Sequence, residues 1–347
     1  MSINNERVIF ALESSCDETS AAVLVGHTLK SNIISSQIKE HIPFGGVYPE
    51  LAARLHLEKI DYVIDKAIKE AGIEYKDIDY ICCTKGPGLP GALQIGMMAC
   101  KTLASALNIP LVGVHHLMGH IYANEYIKDI TYPSLAVIVS GGNTEIVHMK
   151  DMLDFEIIGE TLDDAIGETF DKVARKLNLP YPGGVNIDRI TKDFHDSIKT
   201  FPLPKPKVEG YNVSYSGLKS HLARMIDSET ENGAKPLSEE RVKEYAFTTE
   251  KSLVDQLVKK VFLAAENLNL KQIVFGGGVS ANSYLREEVT RIAAEKGIEV
   301  LIPPLWCTTD NAAMIAKAGS HLIDKNYLSS LSCSTNPSLE LDLPYKD

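Results

Sequence analysis

His116 and His120 stand four residues apart in the run Val114-His115-His116-Leu117-Met118-Gly119-His120, at the start of what reads as a helix over 117–126. Four residues make about one helical turn, so the two imidazoles share a face with their Cβ atoms roughly 6 Å apart, within reach of one metal ion. Such a pair needs a third ligand, and in isolation the same spacing serves packing or surface histidines equally well. The zinc-protease pattern H-E-x-x-H has this spacing too, with the glutamate as general base. Leu117 occupies the position after His116, so a metal held here would lack that base and a different reaction has to be sought. His115 points about 100° away from His116 on a helix, which suits a structural or supporting role better than ligation.

The elements that must position these groups alternate strands and helices. Apolar strands at 8–12 and 20–25 flank the polar turn Glu13-Ser14-Ser15-Cys16-Asp17-Glu18-Thr19, giving a hairpin with hydroxyls and carboxylates at its tip. A helix over 49–71, a strand at 80–84, the loop Lys85-Gly86-Pro87-Gly88-Leu89-Pro90-Gly91, a helix to 107 and a strand at 110–114 lead to the histidines. The strand at 135–139 then turns through Ser140-Gly141-Gly142-Asn143 into a strand at 144–149, repeating the plan of the N-terminus and suggesting two related halves. Helices are expected over 161–177, 238–268, 283–296 and 312–324, with strands at 273–275 and 300–302, an irregular Pro and Lys segment at 201–210, and a tail from Tyr327 without periodicity.

Composition narrows the class. At 347 residues, 44% hydrophobic and 23% charged, the chain has room for two domains of an ordinary globular protein. Six cysteines without a C-x-x-C pair read as reduced structural thiols. No apolar run approaches membrane-spanning length and the first 15 residues make a poor signal peptide, so a cytoplasmic protein with no membrane partner is expected. A formal charge of −11 excludes broad nonspecific nucleic-acid affinity and leaves only a local basic patch for such a contact. One candidate lies between 199 and 224, where Lys199, Lys205, Lys207, Lys219, Arg224 and His221 meet a single carboxylate, Glu209, on a stretch kept extended by Pro202, Pro204 and Pro206.

Glycine after a strand lets backbone N–H groups approach a phosphate, and a helix N-terminus adds positive potential. Three segments have this character: the Asp17 hairpin, the turn over 140–144 and the turn Gly276-Gly277-Gly278-Val279-Ser280-Ala281-Asn282. Singly each is as consistent with plain connection, but their order is that of the actin, Hsp70 and sugar-kinase ATPase superfamily (ASKHA). The expected architecture is therefore α/β and two-lobed with a central cleft. Its lobes are expected at 1–133 and 134–310, with 311–347 a C-terminal helix packing back toward the first lobe plus an irregular tail.

A more specific resemblance rests on Glu13-Ser14-Ser15-Cys16-Asp17-Glu18-Thr19, His115-His116-Leu117-Met118-Gly119-His120, Ser140-Gly141-Gly142-Asn143-Thr144, Gly159-Glu160-Thr161 with Asp163-Asp164, and Phe170-Asp171-Lys172-Val173-Ala174. Tyr181-Pro182-Gly183-Gly184, Ser216-Gly217-Leu218-Lys219, Gly277-Gly278-Val279-Ser280-Ala281-Asn282 and Thr309-Asp310-Asn311 extend it. In this order, from about residue 7 to about residue 325, they resemble the tRNA N6-adenosine threonylcarbamoyltransferases (TsaD), once called O-sialoglycoprotein endopeptidases. Departures are mild: Ser14 stands where threonine is usual, Asn143 where histidine is common, and Met118 where an acidic residue often sits.

The resemblance implies Asp310 as the third metal ligand beside His116 and His120, a set that suits one Fe2+ or Zn2+ per subunit. Without it Asp310-Asn311 reads as a helix N-cap, and both roles fit if Asn311 does the capping. It further implies Asp17 as the catalytic carboxylate. Val139, Ser140, Gly141, Gly142 and Asn143 are implied to line the threonylcarbamoyl-adenylate site, with Asp171, Gly184, Asp188 and Asn282 around its nucleoside. The implied reaction moves a threonylcarbamoyl group from threonylcarbamoyl-AMP to N6 of the adenosine immediately 3′ of a tRNA anticodon, in tRNAs reading codons that begin with A (t6A). Implied partners are tRNA, a small paralogous subunit of similar fold (TsaB-like) and a P-loop ATPase subunit (TsaE-like). The rivals are a metallopeptidase, opposed by Leu117 and the phosphate-type turns; a kinase or ATPase of the same fold, which has no need of two helix-borne histidines; and a noncatalytic actin-like scaffold.

Overall fold

The computed structural model describes residues 6–342. Its chain divides into two compact units, one made of residues 1–40, 47–129 and 304–347, the other of 41–46 and 130–303. The breaks at 129 and 303 stand against the expected 133 and 310, so Asp310 belongs to the same unit as the two histidines.

In the first unit β1 (Val8–Glu13) and β2 (Glu18–Val25) form the expected hairpin, and β3 (Thr28–Ser36) extends it antiparallel. The strands β4 (Tyr80–Gly86) and β5 (Leu111–His115) add in parallel, giving the order β3-β2-β1-β4-β5. Every residue of β1 is buried, as its unbroken apolar run demands of a central strand covered on both faces. A single turn α1 (Ile38–His41) precedes α2 (Pro49–Ala71), which with α3 (Pro90–Leu107) packs over the sheet. The metal-type histidines lie on α4 (His116–Tyr122), continued by a 3₁₀ turn Ala123–Tyr126, so the expected helix begins one residue earlier and ends by tightening.

The second unit repeats the plan. β6 (Ser134–Val139), β7 (Thr144–Asp151) and β8 (Asp154–Glu160) are antiparallel, and β9 (Gln272–Gly276) and β10 (Glu299–Leu301) add in parallel, giving the order β10-β9-β6-β7-β8. The two sheets share one topology, with β6 in the place of β1. Its helices are α5 (Ile166–Lys176), α6 (Gly183–Thr191), α7 (Ser216–Glu229), α8 (Glu239–Asn267) and α9 (Ser283–Lys296), while α10 (Ala312–Asp324) belongs to the first unit.

Five elements differ from the sequence reading. The strands β3 and β8 follow their hairpins directly, and their half-exposed alternation hid them among polar residues. The helix expected from 161 starts at Ile166, because Thr161 pairs with Val213 and its hydroxyl binds the carbonyl of Asp164. The glycines of Tyr181-Pro182-Gly183-Gly184 open α6 instead of ending in a loop, and Ser216 starts α7 where Asp163 gathers the N–H groups of Tyr215 and Ser216. No helix among the described residues is long and apolar enough to cross a membrane.

Candidate functional site

The first unit brings His116, His120 and Asp310 together, with one donor atom from each lying within 4.8 Å of the others. Helical spacing aligns the histidines, and Gly119 between them lets α4 press against α10: a Cβ there would meet Ile315 Cδ1 at 3.0 Å and Met314 Cγ at 3.1 Å. Asn311 caps α10 by accepting from Met314 N at 3.1 Å, and Ala312 N donates to Ser20 Oγ at 2.9 Å. The neighbour of the cap, Asp310, is thereby fixed with its Oδ1 at 3.4 Å from His116 Nε2 and 3.1 Å from His120 Nε2.

Three residues that sequence reading missed hold His116 in place. Its Nδ1 lies 3.3 Å from Glu13 Oε2 and 3.1 Å from Ser15 Oγ, and the same Glu13 oxygen accepts the hydroxyl of Thr84. A carboxylate only accepts, so Nδ1 carries a proton toward Glu13, which leaves Nε2 facing Asp310. The available signal was slight: an ionisable residue ending a strand that is otherwise apolar. Burial works to lower the pKa of His116, but Asp310 and Glu13 outweigh it and hold the imidazole at about 9. Burial would likewise raise Asp310, yet His116 and His120 keep it at about 2.

His120 supplies the test of fit for a metal. The side chain is buried, and among the described residues neither ring nitrogen has a hydrogen-bond partner although Nε2 approaches Asp310 so closely. Orphaned imidazole nitrogens are costly in a protein interior, and a cation shared with the carboxylate would satisfy Nε2. Two imidazoles and a carboxylate fit such an ion. His115 is structural, as expected: its Nδ1 accepts from Leu117 N, its Nε2 donates to Leu339 O at 3.1 Å, and burial drives its pKa down to about 3.

Asp17 is buried on the β1–β2 turn, among hydroxyls and carboxylates as expected. Asp310 acts electrostatically on its neighbours Cys16 and Glu18, which places this hairpin beside the metal-type cluster. Burial and Asp17 push the Glu18 carboxyl well up.

In the second unit the residues expected around the adenylate make the following contacts. Ser140 N donates to Asn143 O at 2.9 Å and Asn143 N to Ser140 Oγ at 3.0 Å, closing the turn whose Gly141 and Gly142 face open space. Gly277, at φ +95°, lets the second glycine turn touch the end of β6, since a Cβ would fall 2.4 Å from Val139 O. Asp171 Oδ1 accepts Gly183 N at 2.6 Å, joining α5 to α6 one residue before Gly184. Asp188 Oδ1 accepts both the N–H and the hydroxyl of Ser283, at 2.7 and 2.6 Å. Asn282 caps α9, its Oδ1 accepting from Leu285 N at 2.9 Å. The basic stretch divides: Lys219 pairs with Asp164, while Lys199, Lys205, Lys207 and Arg224 are exposed.

A duplicated five-stranded sheet carrying phosphate-type turns defines an α/β protein of the actin, Hsp70 and sugar-kinase ATPase class. Solved structures agree at the level of fold: a HypF of T. kodakarensis superposes with a TM-score of 0.62 at 14% identity, over 93% of this chain and 49% of its own. The chain thus spans about half the length of that HypF. Component A of (R)-2-hydroxyglutaryl-CoA dehydratase from Acidaminococcus fermentans gives a TM-score of 0.51 at 12% identity, over 92% and 98% of the two chains.

The particular family follows from sequence. The TsaD model, tRNA N6-adenosine threonylcarbamoyltransferase, matches residues 28–317. Curated enzymes of that name are 46% identical over 345 residues in Bacillus subtilis (98% of both chains) and 43% identical over 341 residues in Halalkalibacterium halodurans (98% of both). The chain belongs to the TsaD family.

Proposed function

We propose that this chain transfers the threonylcarbamoyl group of threonylcarbamoyl-AMP to N6 of the adenosine 3′ of the anticodon, in tRNAs reading codons that begin with A. The observation that carries the reading is a donor set of two histidines and an aspartate, built into a chain that matches the family over nearly its whole length. An exocyclic adenine amine is a weak nucleophile, so the carbamoyl carbonyl needs activation and the amine must lose a proton. His116, His120 and Asp310 would hold Fe2+ or Zn2+, which when bound supplies Lewis-acid polarisation of the threonylcarbamoyl oxygens. Glu13 keeps His116 in the tautomer that presents Nε2. Asp17 accepts the amine proton as carbonyl attack proceeds, and AMP leaves with the bonding electrons of its acyl-phosphate link.

In the second unit, backbone N–H groups of the turn 139–143 take the adenylate through open glycines, while Asp171, Gly184, Asp188 and Asn282 hold the nucleoside. Lys205 and Lys207 offer the exposed charge for tRNA phosphates. A tRNA substrate supports a cytoplasmic location, and the paralogous and P-loop subunits implied by the family are its expected partners. Incubating metal-loaded protein with preformed threonylcarbamoyl-AMP and t6A-free tRNA, then measuring nucleosides by mass spectrometry, tests the reading. Appearance of t6A is expected; AMP release into water with no modified nucleoside would overturn it.

A further inference from the structure

Glu250 on α8 is wholly buried, between side chains of the second unit's core. Its Oε1 accepts from Asn282 Nδ2 at 2.6 Å and its Oε2 accepts from Thr191 Oγ1 at 2.7 Å. A basic group beside it is His195, whose Nε2 stands 3.7 Å from Oε2 and makes no hydrogen bond among the described residues. Burying a carboxyl in an apolar core is expensive, and an apolar side chain would pack there at lower cost. A polar group kept against that cost points to a geometric requirement near a working site.

The requirement is visible in what the carboxyl joins. Asn282 has both ends of its carboxamide committed, Oδ1 to the cap of α9 and Nδ2 to Glu250, so the amide cannot flip. Ser283, the next residue, gives its N–H and hydroxyl to Asp188 on α6. Three residues further along α6, Thr191 returns to Glu250. A closed ring of hydrogen bonds therefore links α8, the first residues of α9 and α6, and Asp188 and Asn282 both lie on it.

We propose that Glu250 is a positioning residue for nucleoside recognition: it fixes the spacing of α6 and the start of α9 at which Asp188 and Asn282 meet the ligand, without touching the ligand itself. The inference rests on the reading of Asp188 and Asn282 as nucleoside-binding residues. Glutamine preserves the ring, because its oxygen still accepts from Asn282 and its amide donates to Thr191 Oγ1, whose hydroxyl has Ile187 O at 3.0 Å as an alternative acceptor.

The test uses the full chain, with AMP as the probe in calorimetry and threonylcarbamoyl-AMP in steady-state kinetics. Loss of about one hydrogen bond's net worth corresponds to roughly tenfold in affinity, so E250A should weaken AMP about tenfold and raise KM with kcat nearly unchanged. E250Q should return both to wild-type values. Where E250A does not fold, T191V, which removes one arm of the ring, should still weaken AMP about threefold, a fraction of the same net worth. Wild-type AMP affinity in folded E250A or T191V, with D188A impaired, overturns the inference alone; so does E250Q as defective as E250A. Wild-type affinity in D188A overturns the nucleoside reading beneath it.

Discussion

The two units share one sheet topology and place opposite kinds of groups on it. In the first, ionisable side chains are buried and buttressed: Glu13 holds His116, Asp310 faces both histidines, and among the described residues neither His120 nitrogen has a hydrogen-bond partner. In the second, the corresponding hairpin ends in glycines facing open space, and the surrounding side chains tie helix ends together. A small cation is selected by charged donors held at fixed points, whereas an adenylate is gripped by backbone amides that need room. The two copies of this topology differ in what stands at the tip of the first hairpin.

The contrast breaks first if the donor set is dispensable. H120A, or H116A, should lose bound metal by more than about 100-fold in affinity, since even supporting residues around metal sites cost 10 to 100-fold, and transfer should fall with it while AMP binding survives. Metal analysis beside AMP calorimetry checks both halves. D17N should keep metal and adenylate but slow single-turnover transfer about 100-fold, within the usual range for a positioned acid or base; an unchanged rate would remove Asp17 from the chemistry.

The second unit holds one buried carboxylate that sharpens the comparison. Burial lifts Glu250 from 4.5 to about 7, so between those pH values the folded chain binds more protons than the unfolded one and stability falls as pH rises. Relative to E250Q, the wild type should lose about 2 to 3 kcal/mol between pH 4.5 and 8, read from denaturant midpoints at each pH. E13Q should weaken metal about tenfold, the low end for such supporting residues, because a carboxamide oxygen still accepts from His116 Nδ1. Smallest of all, charge reversal at Lys205 and Lys207 should leave metal and AMP affinity untouched and flatten the salt dependence of tRNA binding by about one unit of slope per lost phosphate contact. An unaltered slope would move the tRNA surface elsewhere.

Legibility in the sequence followed the same division. Helical periodicity was enough to set His116 and His120 on one face, and unbroken apolar runs announced β1 and β6. Asp310 was beyond such reasoning, since it reaches the histidines from a distant loop and only the family resemblance named it. Glu13 escaped because its role depends on β1 and α4 meeting, which no local pattern encodes. On the other unit, α6 and α7 were hidden by the glycines and serines that open them, residues that read as turns until their N–H groups find Asp171 and Asp163. Lys219 looked like part of a basic patch until α7 carried it to Asp164.

The central claim is that the metal set performs transfer while the second unit binds the adenylate on its own. Chelated and metal-reloaded protein, assayed side by side for AMP affinity and for t6A formed from threonylcarbamoyl-AMP, measures this directly. The account predicts that chelation abolishes t6A, leaves the AMP dissociation constant within about twofold (under 0.5 kcal/mol), and is reversed by Fe2+ or Zn2+. Full transfer in the chelated protein, or loss of AMP binding together with the metal, would contradict it.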